Sequence, residues 1–342
     1  MCVWLKRAAI FVLISAIIIV LSAYYLLASP MSVEQVSVYE IKAGSGSSRI
    51  ANQLVREGWV NDASLVRFAV SLYPQWVPKV GKYEIEPGMS LLDALILFDS
   101  GKAIFHNITL VEGKTLKEYL LRMEGKNNIE MTLLGMTNEE IAKQLNLSVS
   151  HAEGQFFANT YRYHEGNTDA EILLQAHKKL QDVLDKHWQQ RNKKIPLKSS
   201  QEALILASIV EKETGADFER PLIAGVFVNR LNKRMRLQTD PTVIYGLGEN
   251  FDGNIRRRHL RQKTPYNTYT IYGLPPTPIA NVGEEAIKAA LNPETTTALY
   301  FVARGDGTHK FSNTLRQHNA AVAKYQRFQR RSDYQSTPTT KK

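Results

Sequence analysis

The sequence predicts an α+β protein: an N-terminal transmembrane helix, a small α/β module, and a larger mixed α+β domain. Three observations carry this. Residues 8–28 form one uncharged apolar run. From there to about residue 105, short alternating stretches exchange with helical periodicities. Beyond residue 199, two strongly apolar helical patterns are followed by segments rich in Pro, Gly, Asn and Tyr. The length of 342 residues suits two domains. Hydrophobic residues at 44% and charged residues at 22% are ordinary for globular chains, which argues against disorder or a fibrous repeat. No solenoid-period repeat is present.

The apolar run from Ala8 to Ala28, AAIFVLISAIIIVLSAYYLLA, is long enough to cross a bilayer as a helix. Lys6 and Arg7 precede it, and no positive charge follows until Lys42. The positive-inside rule therefore leaves residues 1–7 in the cytoplasm and places everything after Pro30 outside. Tyr24 and Tyr25 fall where an interfacial aromatic belt belongs. A cleaved signal peptide would have a shorter apolar core ending in an A-x-A-like site, and Leu26, Leu27 and Ala28 fit that poorly. The expected location is the plasma (inner) membrane, single-pass, with the bulk of the chain on the periplasmic side. Cys2 is the sole cysteine, so neither an intrachain disulfide nor a cysteine metal site is possible. No apolar stretch precedes Cys2, so it is no lipoprotein acceptor.

In residues 31–105, VSVYEIKAG and VGKYEIEPG alternate as strands. SSRIANQLVREG reads as a helix capped by Ser47 or Ser48 and stopped at Gly58. DASLVRFAVSLY reads as a helix capped by Asp62, and SLLDALILFDSG as one capped by Ser90. A strand–helix–helix–strand order suits a module of LysM type.

The second domain is expected over residues 106–331, with a disordered tail over 332–342. NITLVEGKTLKEYLLRM gives a strand, a turn at Glu112-Gly113 and a helix. EEIAKQLNLS resembles the first half of a helix-turn-helix. HAEGQFFANTY makes a poor recognition helix after it, so this is read as an ordinary amphipathic helix. The net charge of +10 is spread out, with a modest cluster at Arg327, Arg330 and Arg331 and no run of cations interleaved with aromatics. No nucleic-acid partner is expected. Residues 168–193 form a long helix with a polar face.

Ser199 and Glu202 then form a capping box for EALILASIVEKET, which is apolar nearly all round and is expected to end at Gly215. At about 100° per residue, Glu213 shares a face with Leu206, Ile209 and Val210, while Glu211 lies well around the helix. A carboxyl among aliphatic groups resists ionisation, as a general acid at neutral pH requires. On spacing alone, solvent exposure at a helix end fits Glu213 at least as well. Asp217 is the expected cap of a second helix, with Leu222, Ile223, Val226, Phe227, Arg230 and Leu231 along one stripe. The Tyr, Asn, Thr and Gln that follow suit a sugar groove, where rings stack and amides bond hydroxyls. They suit surface loops almost as well.

ASIVEKET, VFVNRL, MRLQTDPTVIYG, PYNTY, GLPPTPIAN, AALNP and HKFSNTLRQHN occur in that order, after the anchor, the module and LVEGKTL. This set resembles the endolytic murein transglycosylases of the YceG-like family over nearly the whole chain. The resemblance implies that Glu213 is the catalytic residue. It further implies a substrate groove of Gln238, Asp240, Thr242, Tyr245, Tyr266, Asn267, Tyr269 and Asn281, with His309, Ser312, His318 and Asn319 nearby. Two places depart from the family pattern. Val282 follows Asn281 where Pro is usual, and Ala158 and Asn159 stand where Pro and Asp are usual. That loop keeps Glu153, read as a residue supporting the site from behind.

The implied reaction is cleavage of peptidoglycan between N-acetylmuramic acid and N-acetylglucosamine within a strand, forming a 1,6-anhydro end. It needs no cofactor or metal, and no HExxH-type spacing is present. The implied partners are glycan strands, the membrane and peptidoglycan synthases. Two alternatives stand beside it: a muramidase using Asp240 as second carboxylate, and a non-catalytic wall-binding scaffold. The topology is testable by itself. A reporter that works only outside the cytoplasm, fused after Lys342, is expected to be active; activity of a cytoplasm-only reporter there would reverse the orientation.

Overall fold

In the computed structural model, which describes residues 2–42, 44–73, 75–126 and 128–328, residues Cys2–Ala28 form one helix, α1. Among the described residues its stretch Ile10–Ala28 is the helix long and apolar enough to cross a membrane. Large side chains along it, such as Phe11 and Val20, are exposed, whereas Leu27 near its end is buried in the core of the first unit. Arg330, Arg331 and the tail 332–342 lie outside the described residues.

The described chain divides into two compact units. One holds residues through His106 together with Arg162–Gly166; the other holds Asn107–Tyr161 and the chain from Asn167. The first unit continues from α1 into β1 (Ser37–Ile41), α2 (Ser47–Arg56), α3 (Ala63–Ser71), β2 (Gly81–Ile85) and α4 (Leu91–Ser100). β1 and β2 pair antiparallel with Tyr39 opposite Tyr83. Strand alternation turns Tyr39, Ile41, Tyr83 and Ile85 inward. Phe98 of α4 stacks on Tyr39 at 5.0 Å and meets Tyr83 edge-on at 5.1 Å. Asp62 caps α3 through the Ser64 amide. Ser90 and Asp93 make a reciprocal capping box on α4, and Gly101 ends that helix at φ +69. The cap expected at Ser47 or Ser48 is not one. α2 already begins at Ser47, and Gly46 is its N-cap without a side-chain bond.

The second unit takes up β3 (His106–Thr109) from Asn107 onward, then α5 (Leu116–Glu124), β4 (Ile129–Glu130) and α6 (Asn138–Gln144). α6 is the EEIAKQ segment, started by a Thr137–Glu140 capping box. No second helix follows it, because His151–Asn159 runs in turns. After β5 (Thr160–Tyr163) come β6 (Asn167–Thr168), parallel to β4, and α7 (Asp169–Gln189). The core is built on α8 (Ser200–Glu213), whose residues Ala203–Val210 are buried without a break. Beside it pack α9 (Arg220–Asn232) and, after α10 (Asp240–Leu247) and α11 (Arg257–Arg261), α12 (Glu284–Leu291). Phe227, Ile287, Leu291, Leu180 and Leu184 fill the space between them. α9 comes close to the chain beyond α12: a Cβ on Gly225 would lie 2.4 Å from the Glu294 carbonyl. A β7–β8 hairpin (Tyr300–Ala303, His309–Ser312) and α13 (Leu315–Val322) complete the unit.

Two helix ends differ from expectation. α8 stops at Glu213 because Thr214 turns extended (φ −145, ψ 138), so Gly215 is no C-cap. α9 is led in by a 3₁₀ turn, Asp217–Glu219, and Asp217 pairs with Arg220 at 2.6 Å instead of capping.

Asp169 shows how α7 is fixed. It is fully buried, and it accepts from the Thr132 amide (2.9 Å), the Thr132 hydroxyl (2.7 Å) and the Leu133 amide (3.0 Å). Its charge also faces the positive end of the helix. Asp169→Ala would leave those donors buried and unpaired and should cost about 3 kcal/mol or more in urea unfolding of the full chain. A loss below about 1 kcal/mol would show that the donors find other partners.

Candidate active site

The site is organised by the end of α8. Leu206, Ile209 and Val210 are fully buried, and Glu213 follows on their face as the last helical residue. Glu213 as a whole is only partly buried, but its carboxyl is packed about by protein. Burial strips its hydration and pushes its pKa up to about 7, with the Asp240 charge adding; the Thr239 hydroxyl and the Arg230 charge oppose the rise. The Thr239 hydroxyl donates directly to Glu213 Oε1.

Thr239 is held by a set of threonines. Its amide donates to Thr268 Oγ1 (3.0 Å), and its carbonyl accepts from Thr242 Oγ1 (2.9 Å). The hydroxyls of Thr242 and Thr268 lie 2.9 Å apart. The strap before it is pinned by Arg230. Its Nη1 donates to the carbonyls of Arg236 and Leu237, both at 3.0 Å, and to Gln238 Oε1 at 3.2 Å. Its Nε reaches the Leu299 carbonyl at 2.6 Å, and the guanidinium lies 5.0 Å from the Tyr300 ring centre. Gln238 adopts φ +51, the left-handed region that a non-glycine residue enters at a cost. Asp240 opens α10 and accepts from the Tyr269 hydroxyl at 2.7 Å. Gln238, Asp240 and Tyr269 thus gather around Glu213 with Thr239 and Arg230.

The other residues expected in a substrate groove divide. Thr242, Asn267 and Asn281 are buried, with their hydrogen bonds made inside the protein, which gives them the role of shaping loops. Asn267 Nδ2 holds the carbonyls of His259 (3.0 Å) and Gln262 (2.6 Å). Asn281 accepts from the Phe156 amide (3.1 Å) and donates to the Lys114 carbonyl (3.1 Å). Tyr245 and Tyr266 remain half-buried and meet edge to face at 4.9 Å. Tyr266 shares a hydrogen bond with Thr277 at 2.7 Å. His309 is engaged by Glu219 at both its amide (2.9 Å) and Nδ1 (2.7 Å). Ser312 is buried on β8. His318 stacks on Tyr300 at 5.2 Å, while Asn319 is exposed on α13.

Glu153 and Glu211 are also drawn into protein here. Glu153 accepts from the amides of Leu116 (3.0 Å) and Gly154 (3.2 Å) and from the Tyr245 hydroxyl (3.4 Å). Burial nevertheless pushes its pKa up to about 7, against those three bonds. Gly154 has φ +74, and a Cβ there would lie 2.3 Å from Pro278, so only glycine fits. Glu211 points elsewhere from Glu213. It bonds Arg220 at 2.9 Å and the Gly283 amide at 3.1 Å, a buried ion pair tying α8 to α9 and to the start of α12. The sequence placed Glu211 on another face without revealing that pair. Thr239, Thr268 and Glu219 were missed as well. Thr239 had one available signal, its place between Gln238 and Asp240.

The model of the YceG-like family matches residues 39–324. A protein of Bacillus subtilis (strain 168) named endolytic murein transglycosylase is 32% identical over 303 residues, covering 83% of each chain. One of the same name from Streptococcus pneumoniae (strain D39) is 28% identical over 83% of this chain and 57% of its own length. A crystal structure of a yceG-like protein from Listeria monocytogenes superposes with a TM-score of 0.53 at 32% identity, covering 84% of this chain and all of that one. An α+β chain of this similarity, matched over most of its length, belongs to the YceG-like family.

Proposed function

We propose that this protein is an endolytic murein transglycosylase and that Glu213 is its catalytic acid and base. The family and the names of its relatives support the activity. One observation favours Glu213: it is the carboxyl at the end of a buried helix whose pKa burial raises to about 7. In its protonated form, which a pKa of about 7 keeps well populated at neutral pH, it donates to the oxygen between N-acetylmuramic acid and N-acetylglucosamine. Once ionised, it takes the proton of the muramoyl C6 hydroxyl as that oxygen bonds to C1. The glycosidic bond breaks, a 1,6-anhydro ring forms, and no water is consumed. Thr239 fits the ionised stage, because its hydroxyl bond favours the anion. Gln238, Asp240, Tyr245, Tyr266 and Tyr269 offer the sugar-binding surface. Asp240 already takes the Tyr269 hydroxyl, which suits an orienting role better than activation of water.

The remaining parts follow from this activity. α1 is read as an uncleaved anchor with its N-terminus in the cytoplasm. The small unit, with two antiparallel strands enclosing α2 and α3, is read as a LysM-type glycan holder. Strands leaving peptidoglycan synthases would be substrates within reach of such an anchored enzyme.

The test is digestion of purified glycan in heavy-oxygen water. Wild type is expected to give anhydro-muramoyl ends without label; labelled reducing ends would mean hydrolysis. Glu213→Gln should lower the rate by about 10²–10⁴-fold or more, with the fold intact by circular dichroism. The rate should fall as pH rises through about 7, where Glu213 loses its proton. The folding linkage has the matching sign. A carboxyl whose pKa is raised by folding opposes the folded state increasingly as pH rises from its unfolded value to about 7. Glu213→Gln should therefore melt no lower than wild type above pH 7. A rate unaffected by Glu213→Gln would end the assignment.

A further inference from the structure

The first unit carries an apolar face that no described residue covers. α3 turns Val66 and Ala69 inward, both essentially fully buried. Leu65 lies part-buried against the same core, whereas Phe68 and, four residues on, Leu72 stand exposed on the outer side. Phe68 is 46% exposed, Leu72 and Tyr73 are each 54% exposed, and Val77 is 63% exposed. These side chains do not belong to a frayed loop. Trp76 Nε1 donates to the Leu95 carbonyl at 2.8 Å, the Val77 amide to Asp99 at 3.1 Å, and the Lys79 amide to the Phe98 carbonyl at 3.0 Å. The segment is thus fastened to α4, and its apolar groups are held outward.

The position of this face says what covers it. A groove beside it is lined by Leu26, Ser29 and Pro30 from the end of α1 and by Trp59, Leu65 and Phe68. The apolar stretch of α1 ends at Ala28. The face therefore begins where a spanning α1 leaves the hydrocarbon, at the depth of lipid headgroups. Exposed Arg67, next to Phe68, supplies a cation suited to phosphate there. Apolar and aromatic groups beside a cation are what an interfacial segment presents to a bilayer.

We propose that Phe68, Leu72, Tyr73 and Val77 insert into the outer headgroup region of the bilayer that α1 crosses, so that the small unit lies against the membrane surface. The inference rests on the reading of α1 as an uncleaved anchor. Docking on lipid fixes the tilt and height of this unit, which an anchor alone would leave free.

The experiment uses the full chain in nanodiscs of mixed phosphatidylethanolamine and phosphatidylglycerol. In a Cys2→Ser background, single cysteines are introduced as Phe68→Cys, Leu72→Cys, Ile17→Cys and Lys178→Cys and labelled with a fluorophore. Lipids carrying a nitroxide near the headgroup or deep in the chain serve as quenchers. Labels at positions 68 and 72 should be quenched severalfold more by the shallow nitroxide than the label at position 178, and the label at 17 most by the deep one. Quenching at 17 with none at 68 and 72 would overturn the docking and keep the anchor. No quenching at 17 would remove the anchor, and the docking with it. Formation of a Phe68→Cys disulfide dimer without lipid quenching would assign the face to a second copy and also overturn the proposal. Phe68→Glu with Leu72→Glu should abolish shallow quenching of a label placed by Val77→Cys; unchanged quenching there would count against the proposal.

Discussion

A carboxyl at the end of a helix that has almost no exposed face is the constraint on which the second unit depends. α8 is buried from Ala203 to Val210 because α7, α9 and α12 close around it. Its last turn inherits that environment. Glu211 and Glu213 are both drawn into protein, and each must be answered there, since an unpaired buried charge is expensive. Glu211 is answered by a guanidinium and an amide, which makes it structural. Glu213 has a hydroxyl as its hydrogen-bonding partner, and burial outweighs that bond, so the protonated form is favoured to about pH 7. One helix end thus holds two carboxyls of one type with different partners.

Much of the surrounding structure serves to hold that hydroxyl in place. Thr239 is clamped by Thr242 and Thr268, and Arg230 grips the chain through Leu237 and Gln238. Arg230 in turn leans on Tyr300 and on the Leu299 carbonyl at the start of the hairpin. A loss at the hairpin would therefore reach the carboxyl through two covalent neighbourhoods, although no hairpin residue bonds Glu213 directly. Glu153 is a second buried acid with raised pKa, and it links the α5 amide of Leu116 to Tyr245.

Periodicity made the helices legible. The alternation of β1 and β2, the caps at Asp62 and Ser90, and the burial of α8 all follow from patterns local in sequence. The phase of Glu213 put it with Leu206, Ile209 and Val210, but spacing alone left solvent exposure open, and only the motif resemblance singled it out. Partners distant in the chain were not legible. Nothing near Glu211 announces Arg220 and Gly283. Nothing near Asn267 and Asn281 tells that their amides are spent on backbone carbonyls and amides of other loops. The motif resemblance grouped these residues as one expected groove, and only three-dimensional contacts separate the buried Thr242, Asn267 and Asn281 from the more exposed members. The end of α8 at Thr214 was missed because glycine is the commoner stop, whereas here an extended threonine spends its hydroxyl on the Ala216 amide at 2.9 Å.

The central claim is that Glu213 keeps a substantial protonated share at neutral pH because burial strips its hydration. The direct measurement is the pH titration of its side-chain carboxyl carbon by NMR, in protein labelled at glutamate and assigned by comparison with Glu213→Gln. The account predicts a midpoint near 7. A midpoint in the ordinary carboxylate range, about 4, would contradict it, since the group would then be ionised whenever the enzyme met its substrate.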